Sequence, residues 1–358
     1  MSAVRAAPPP RPSSLAALAR IAAPHAAAAC AVRRTGRVQA ADLAEARVGT
    51  LGDWLAPGDS VVLSREGEAL GLGTVRSVRH GGASIAIDRP GIRVADAVEA
   101  VRPPRGIDGA WLGRTVDARG RTLHAHPRAL AISPRERVPT GDGIARTGVG
   151  VIDALLPVRF GESWRIIGPS GSGRSLLLRD IAGGEWDAVV HCALGRRVRE
   201  DAPSPANALT VLTRPSAGPA ECVLAMRLAA AAVEALGASH PRCVLLIDGA
   251  ERLPGFVPLR TDATTFVAMR GVPGEDTCDA HDGTVALADT DAGSPIDLLA
   301  SLRSAPMLSD DPLAHRLRAR LIRGEMTGAL RDRLNAANGP LAPEEALRLL
   351  GGDPGCRE

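Results

Sequence analysis

The rhythm of apolar and polar positions changes twice along this chain. Between Gly36 and about Val101, short β-branched runs recur at regular spacing: Val61-Val62-Leu63, Leu72-Gly73-Thr74-Val75 and Ile85-Ala86-Ile87, punctuated by Gly, Asp and Pro. That pattern predicts a small β-barrel or sandwich of about 70 residues. Pro103, Pro104 and Gly106 then mark a linker, and Leu112–Arg121 reads as another strand with a Gly-bounded turn. The segment Pro134–Pro139 is polar and extended, and Thr147–Leu156 reads as a capped short helix ending before Pro157.

From Trp164 the rhythm alternates between strands and helices. Strands are expected at Trp164–Ile167, Ala188–Leu194, Leu209–Thr213, Cys243–Ile247, Thr264–Met269 and Thr284–Ala288. Helical runs lie at Leu176–Ile181 and Ala220–Leu236. Such alternation argues for a mostly parallel sheet covered on both faces. Past about Asp310 the chain turns helical: Asp311-Pro312 offers an N-cap and first-turn proline, and Leu313, Leu317 and Leu321 share one face. Met326, Leu330 and Leu334 continue that spacing, and a last helix is expected from Pro343 to Leu350. The Arg-rich face of Arg316–Arg323 reads as solvated.

Composition adds limits. All 43 Lys+Arg positions are Arg, which points to a coding bias rather than a function. A net charge of +3 is too near balance to argue for nucleic acid, and no apolar run is long enough to span a membrane. The start, Ala6–Ala29, is rich in Ala, Pro and Arg like a transit peptide, but Arg20, Pro24 and His25 break any apolar core; a frayed tail with a short helix over Ser14–Ile21 is expected instead. The six Cys show no paired spacing, which argues against a zinc site or disulfide framework and suits a reducing cytosol. The eight His are scattered and form no metal constellation.

One stretch carries chemistry. Gly168-Pro169-Ser170-Gly171-Ser172-Gly173-Arg174-Ser175 lies between a strand and a helix and matches a Walker A phosphate loop except at Arg174, where lysine is required. Such a loop curls its backbone N–H groups around phosphate at a helix start, where the dipole favours anions. Ser175 would place its hydroxyl on Mg²⁺, and position 174 would reach the β and γ phosphates. Asp248, ending the buried strand Cys243–Ile247, is the matching Walker B carboxylate.

Together with Leu112–Asp117, Pro134–Arg137, Thr147–Leu156 and Ser294–Ser301, these residues resemble the type III secretion and flagellar export ATPases, relatives of the rotary ATP synthase catalytic subunit. The resemblance implies an α/β fold: a RecA-like P-loop NTPase core with an N-terminal β-barrel and a small helical C-terminal domain. The corresponding divisions are a tail over 1–35, the barrel over 36–104, the core over 105–309 and the helical domain over 310–358. It implies ATP and Mg²⁺ as ligands, a cytoplasmic hexameric ring peripheral to a membrane, and the export apparatus and exported proteins as partners. Nucleotide contacts fall on Gly168, Ser170, Gly171, Ser172, Gly173, Arg174, Ser175 and Leu176, and Mg²⁺ contacts on Ser175 and Asp248. Arg174, Asp248 and Arg303 take the catalytic positions, Arg303 as the finger that reaches a neighbour's nucleotide.

The chain departs from the family where catalysis is concerned. Arg174 replaces the compact lysine by a larger planar fork. The family's catalytic Glu, aligned without gaps, falls on Arg196, and a cation cannot accept a proton. The finger position falls on Ser304, with Arg303 one residue early. No Tyr is present to cover adenine, and the three Phe all precede the helical domain. These changes imply a site that binds nucleotide and hydrolyses it poorly. The alternatives are a working ATPase with a relocated base, for which Glu251 is the candidate, and a decaying copy without a role.

Overall fold

The computed structural model describes residues 35–49, 55–79, 81–101, 104, 106–125, 143–196, 205–253, 261–271, 281–287, 296–297, 301, 312–322, 332–333 and 342–351. The expected helix over Ser14–Ile21, the extended run at Pro134–Pro139, Arg303 and Ser304 lie outside the described residues. So do Met326, Leu330 and Leu334. The chain divides into two compact units, Met1–Ala100 and Val101–Glu358.

In the first unit, strands β1 (Thr35–Ala41), β2 (Glu45–Val48), β3 (Ser60–Arg65), β4 (Glu68–Arg79), β5 (Gly82–Ile87) and β6 (Ala97–Val101) close into a barrel of order β1-β2-β5-β4-β3-β6. The alternation read from the sequence explains the wall: Val38, Val61, Leu63, Val75, Ile85 and Val98 point inward and are almost fully buried. The barrel is the outcome of the two architectures the spacing allowed. Where β6 begins, Asp96 is buried and accepts from Arg65 Nε and Nη2, both at 2.8 Å, and from the Arg93 backbone N–H at 2.7 Å. The Arg65 guanidinium holds the Asp96 carboxyl below its usual range.

The second unit is built on a nine-stranded sheet, in spatial order β17-β16-β11-β15-β14-β12-β13-β7-β8. Its strands are β7 (Arg114–Val116), β8 (Thr122–Ala125), β11 (Ser163–Gly168), β12 (Ala188–Ala193), β13 (Ala208–Leu212), β14 (Cys243–Asp248), β15 (Thr264–Arg270), β16 (Gly283–Leu287) and β17 (Ile296–Asp297). From β16 to β7 every neighbouring pair is parallel, and β17 and β8 run antiparallel at the two edges. The two-residue strands β9 (Ile144–Ala145) and β10 (Val158–Arg159) pair separately.

Helices α1 (Gly150–Leu155), α2 (Arg174–Ala182), α3 (Pro219–Gly237), α4 (Pro312–Ile322) and α5 (Pro343–Gly351) complete the unit. One core joins Ile152 and Leu155 of α1, Leu178 and Ile181 of α2, and Leu317 and Leu350 of the last two helices to Trp164, Ile166, Leu246 and Phe266 of the sheet. Burying each of these side chains contributes about 1.5–3 kcal/mol. Because strand side chains alternate, Asp248 and Arg270 share the α2-covered face with Leu246 and Phe266. Helix α3 packs along β12, β13 and β14. No described helix is long and apolar enough to cross a membrane.

The turn before α1 corrects one expectation. The helix starts at Gly150 behind Val149, and no side chain caps it. Thr147 instead turns inward to Asp153, whose buried carboxylate accepts from Thr147 N–H at 2.8 Å, Thr147 Oγ1 at 2.6 Å and Gly148 N–H at 3.0 Å. Burial pushes the Asp153 carboxyl above its ordinary value, against the pull of these donors. Gly184 packs onto the same turn: a Cβ there would stand 2.6 Å from the carbonyl oxygens of both Arg146 and Thr147.

Candidate functional site

Parallel strands deliver their C-terminal ends to one edge of the sheet, and the candidate residues gather there. β11 ends at Gly168 beside Arg270 of β15, and Asp248 pairs in register with Ala268 on one side and Ala193 on the other. The chain leaves β11 through Pro169–Gly173 and enters α2 at Arg174.

Gly171 and Gly173 take φ of +87° and +88°, in the left-handed region that a loop of this curl requires. A Cβ at either would meet nothing within 4 Å, so it is the backbone conformation and not crowding that calls for glycine there. The N-terminus of α2 has no side-chain cap, which leaves its first N–H groups without a capping side chain. Ser172 is 3% exposed, and its Oγ has no hydrogen-bond partner among the described residues. It points back to the loop base, 2.6 Å from where a Cβ on Gly168 would stand. Pro169 contributes no N–H. Ser170 and Gly171 are exposed and Ser175 is half-buried. Leu176, expected at the nucleotide, is 51% exposed at the first turn of α2.

Three arginines converge on this edge. Arg174 is buried at 9% exposure, and its Nη1 lies 3.9 Å from Glu251 Oε1. Arg270 donates from Nη2 to Ser170 Oγ, and its backbone N–H donates to Glu251 Oε2 at 3.3 Å. Arg196 donates from Nη2 to Asp248 Oδ1 at 2.6 Å. The sequence placed Arg174, Asp248 and Arg196 individually; the contacts of Arg270 and Glu251 were not foreseen. A signal for Arg270 existed, since it ends a buried strand neighbouring the loop strand.

Arg196 is held from behind. Its backbone N–H donates to Thr213 O at 3.0 Å, and Gly195 N–H donates to Thr213 Oγ1 at 2.8 Å. His191, two residues before Ala193 on β12, has a buried Nε2 without a hydrogen-bond partner among the described residues. Burial pushes its pKa down, with the Asp248 charge pulling the other way. The available rings are spent elsewhere: Phe266 is fully buried, and Phe160 packs edge-on against Trp186 with centroids 6.2 Å apart. Phe256 lies outside the described residues. The Ser294–Ser301 run also proves structural where it is described, with Ser301 Oγ accepting the Ala286 N–H at 2.8 Å and so bracing β16.

The loop residues suit a phosphate chain, and the carboxylate at the end of β14 is already paired with a cation. The left-handed glycines of the loop, the uncapped helix start and the guanidinium of Arg174 all favour an anion. Mg²⁺ needs a free carboxylate at the end of β14, and there Asp248 Oδ1 is already taken by a cation.

The chain is similar to ATP synthase β subunits. It is 33% identical over 88 residues to ATP synthase subunit beta 2 of Nitrosospira multiformis, a match covering 24% of this chain and 18% of that protein. The same identity, length and coverage hold for ATP synthase subunit beta 2 of Polaromonas naphthalenivorans. For ATP synthase subunit beta 1 of a Marinomonas species the match is 29% over 126 residues, 31% of this chain and 25% of that protein. The matched segment thus spans a quarter or less of each relative's length. No family model matches the chain.

Proposed function

We propose that this chain is a nucleotide-holding, hydrolysis-impaired relative of the rotary and protein-export ATPases. In this reading residues 36–104 are the N-terminal barrel, 105–309 a RecA-like core and 310–358 a helical C-terminal domain. The loop from Gly168 to Ser175 holds the phosphates of ATP, with Gly171 and Gly173 giving the curl and Arg174 the charge. The chain acts as a non-catalytic member or regulator of a hexameric ring in a type III export apparatus, facing exported proteins from the cytoplasmic side.

The observation that carries the impairment is the pairing of Arg196 with Asp248. Where hydrolysis needs a carboxylate to polarise water, the side chain is a cation, and it neutralises the neighbouring acid. A general base supplies about 10²–10⁴-fold in rate. A second reading, a working ATPase with Glu251 as base, is favoured by the approach of Glu251 to Arg174 and Arg270. Against it, Glu251 is itself engaged by those two residues.

The test is ATP turnover and ATP affinity of the purified chain beside the Arg174→Lys/Arg196→Glu double variant. The unaltered chain is expected to bind ATP and release almost no phosphate, and the double variant to gain roughly 100-fold in turnover. Robust hydrolysis by the unaltered chain would sink this reading; if Glu251→Gln then abolished it, the second reading would stand.

A further inference from the structure

The site described above contains a feature that neither its ancestry nor its similarity to ATP synthase subunits assigns. We infer that the Arg196 guanidinium replaces the divalent cation, so that this site takes a triphosphate chain free of Mg²⁺. The inference rests on the proposed nucleotide-holding role and names the form of the ligand.

Asp248 closes the buried strand β14 and is only 3% exposed. Its neighbours along the sheet edge are the strand that ends in Arg270, which reaches the phosphate loop at Ser170, and the strand that leads into Arg196. Glu251, just beyond Asp248, reaches Arg174 in the same loop. The loop, the end of β14 and Arg196 are therefore linked by three contacts: Arg270 with Ser170, Arg174 with Glu251, and Arg196 with Asp248.

Charge follows from that arrangement. Arg174, Arg196 and Arg270 face Asp248 and Glu251, which leaves a positive excess at the mouth of the loop before any ligand arrives. A cation bound at Asp248 in a nucleotidase has one electrostatic task, to offset phosphate charge beside the acid. A guanidinium performs it with a fixed charge and a planar fork suited to phosphate oxygens. Arg196 uses Nη2 on Asp248, and with its side chain 42% exposed it keeps donors of the same fork for a ligand. The Ser172 hydroxyl, on the loop itself, is buried and unsatisfied among the described residues. Arg196 is also anchored, because its backbone and that of Gly195 are tied to Thr213. Mg²⁺ entering at Asp248 would share that carboxylate with the guanidinium already paired to Oδ1 at 2.6 Å, so the metal competes with the protein's own cation instead of assisting it.

The experiment is calorimetric titration of the full chain with ATP and, separately, with inorganic tripolyphosphate, each in EDTA and in excess Mg²⁺. Affinity of the unaltered chain is expected to be the same or higher in EDTA, for both ligands. In the Arg196→Gln variant, whose folding is checked by its thermal melt, affinity in EDTA is expected to fall about tenfold and to be restored by Mg²⁺, because Asp248 is then free. ATP binding to the unaltered chain that requires Mg²⁺ would overturn this inference and leave the nucleotide-holding role intact. Binding of ATP but not of tripolyphosphate would also overturn it, since the arginines would not be reading the phosphate chain. A folded chain that binds neither ligand in either buffer would remove the nucleotide-holding role, and this inference with it. The comparison in the unaltered chain decides the matter even if the variant does not fold.

Discussion

Replacing Asp153 by Ala tests whether the turn before α1 is held by a buried carboxylate. Asp153 is 7% exposed, and Thr147, which supplies two of its three donors, is 0% exposed. Each hydrogen bond to a charged acceptor contributes about 1.5–3 kcal/mol, and a buried donor left unmet costs a comparable amount. Two such donors set a gross loss of about 3–6 kcal/mol. Part is recovered: the Thr147 hydroxyl can rotate to another acceptor, and the burial that pushes the Asp153 carboxyl up is relieved. A net loss of about 3 kcal/mol is expected for Asp153→Ala. Asp153→Asn keeps an oxygen for Thr147 and turns an amide toward the Gly148 N–H, so about 1–2 kcal/mol is expected. The raised carboxyl adds a pH signature. A group whose folded pKa is raised contributes stability below its unfolded value and loses it as pH rises through the folded value. The gap between the unaltered protein and Asp153→Asn should therefore narrow as pH rises. The assay is urea unfolding followed by fluorescence of the tryptophans, three of which (Trp111, Trp164 and Trp186) belong to this unit. A loss below about 1 kcal/mol for Asp153→Ala would refute the buried clamp, as would Asn costing as much as Ala.

Gly184→Ala should cost about 3 kcal/mol or more in the same assay, because the new Cβ meets two backbone carbonyls that cannot swing away; its effect should be less than additive with Asp153→Ala, since both loosen one turn. In the barrel, Asp96→Ala removes a two-pronged pair with Arg65 and a bond from Arg93 N–H, and about 2–3 kcal/mol is expected by denaturant unfolding at neutral pH. Since Arg65 lowers the Asp96 carboxyl, that stabilisation is complete above the unfolded carboxylate value and lost as pH falls through the lowered one, so the difference between the two proteins should vanish in acid. His281, whose Nδ1 lies 2.9 Å from Ser163 Oγ, has its pKa pushed down by burial to about 4. Its contribution is present above the ordinary histidine value and lost as pH falls from there to about 4, and after allowance for its partial exposure His281→Gln should abolish about 1–2 kcal/mol of pH dependence in that window.

The sequence alone was enough to define the elements around the site. Alternating β-branched runs mark the barrel strands, the apolar runs ending at Gly168 and Asp248 mark members of one mostly parallel sheet, and the Gly spacing of 168–175 marks a loop that opens a helix. These signals are local, because strand periodicity, helix periodicity and left-handed glycines are properties of a few neighbouring residues. The choice of barrel over sandwich, the pairing of Thr147 with Asp153 and the reach of Arg270 to Ser170 were decided by the tertiary structure. The same holds for the contact that matters most. Arg196 and Asp248 stand 52 positions apart, and no periodicity links them. From the sequence Arg196 reads as a general base lost; in the fold it is a cation gained, set on the buried carboxylate of Asp248. Only parallel pairing of β12 with β14 brings the two side chains to one edge, and Coulomb attraction across that edge then gives the substitution its meaning.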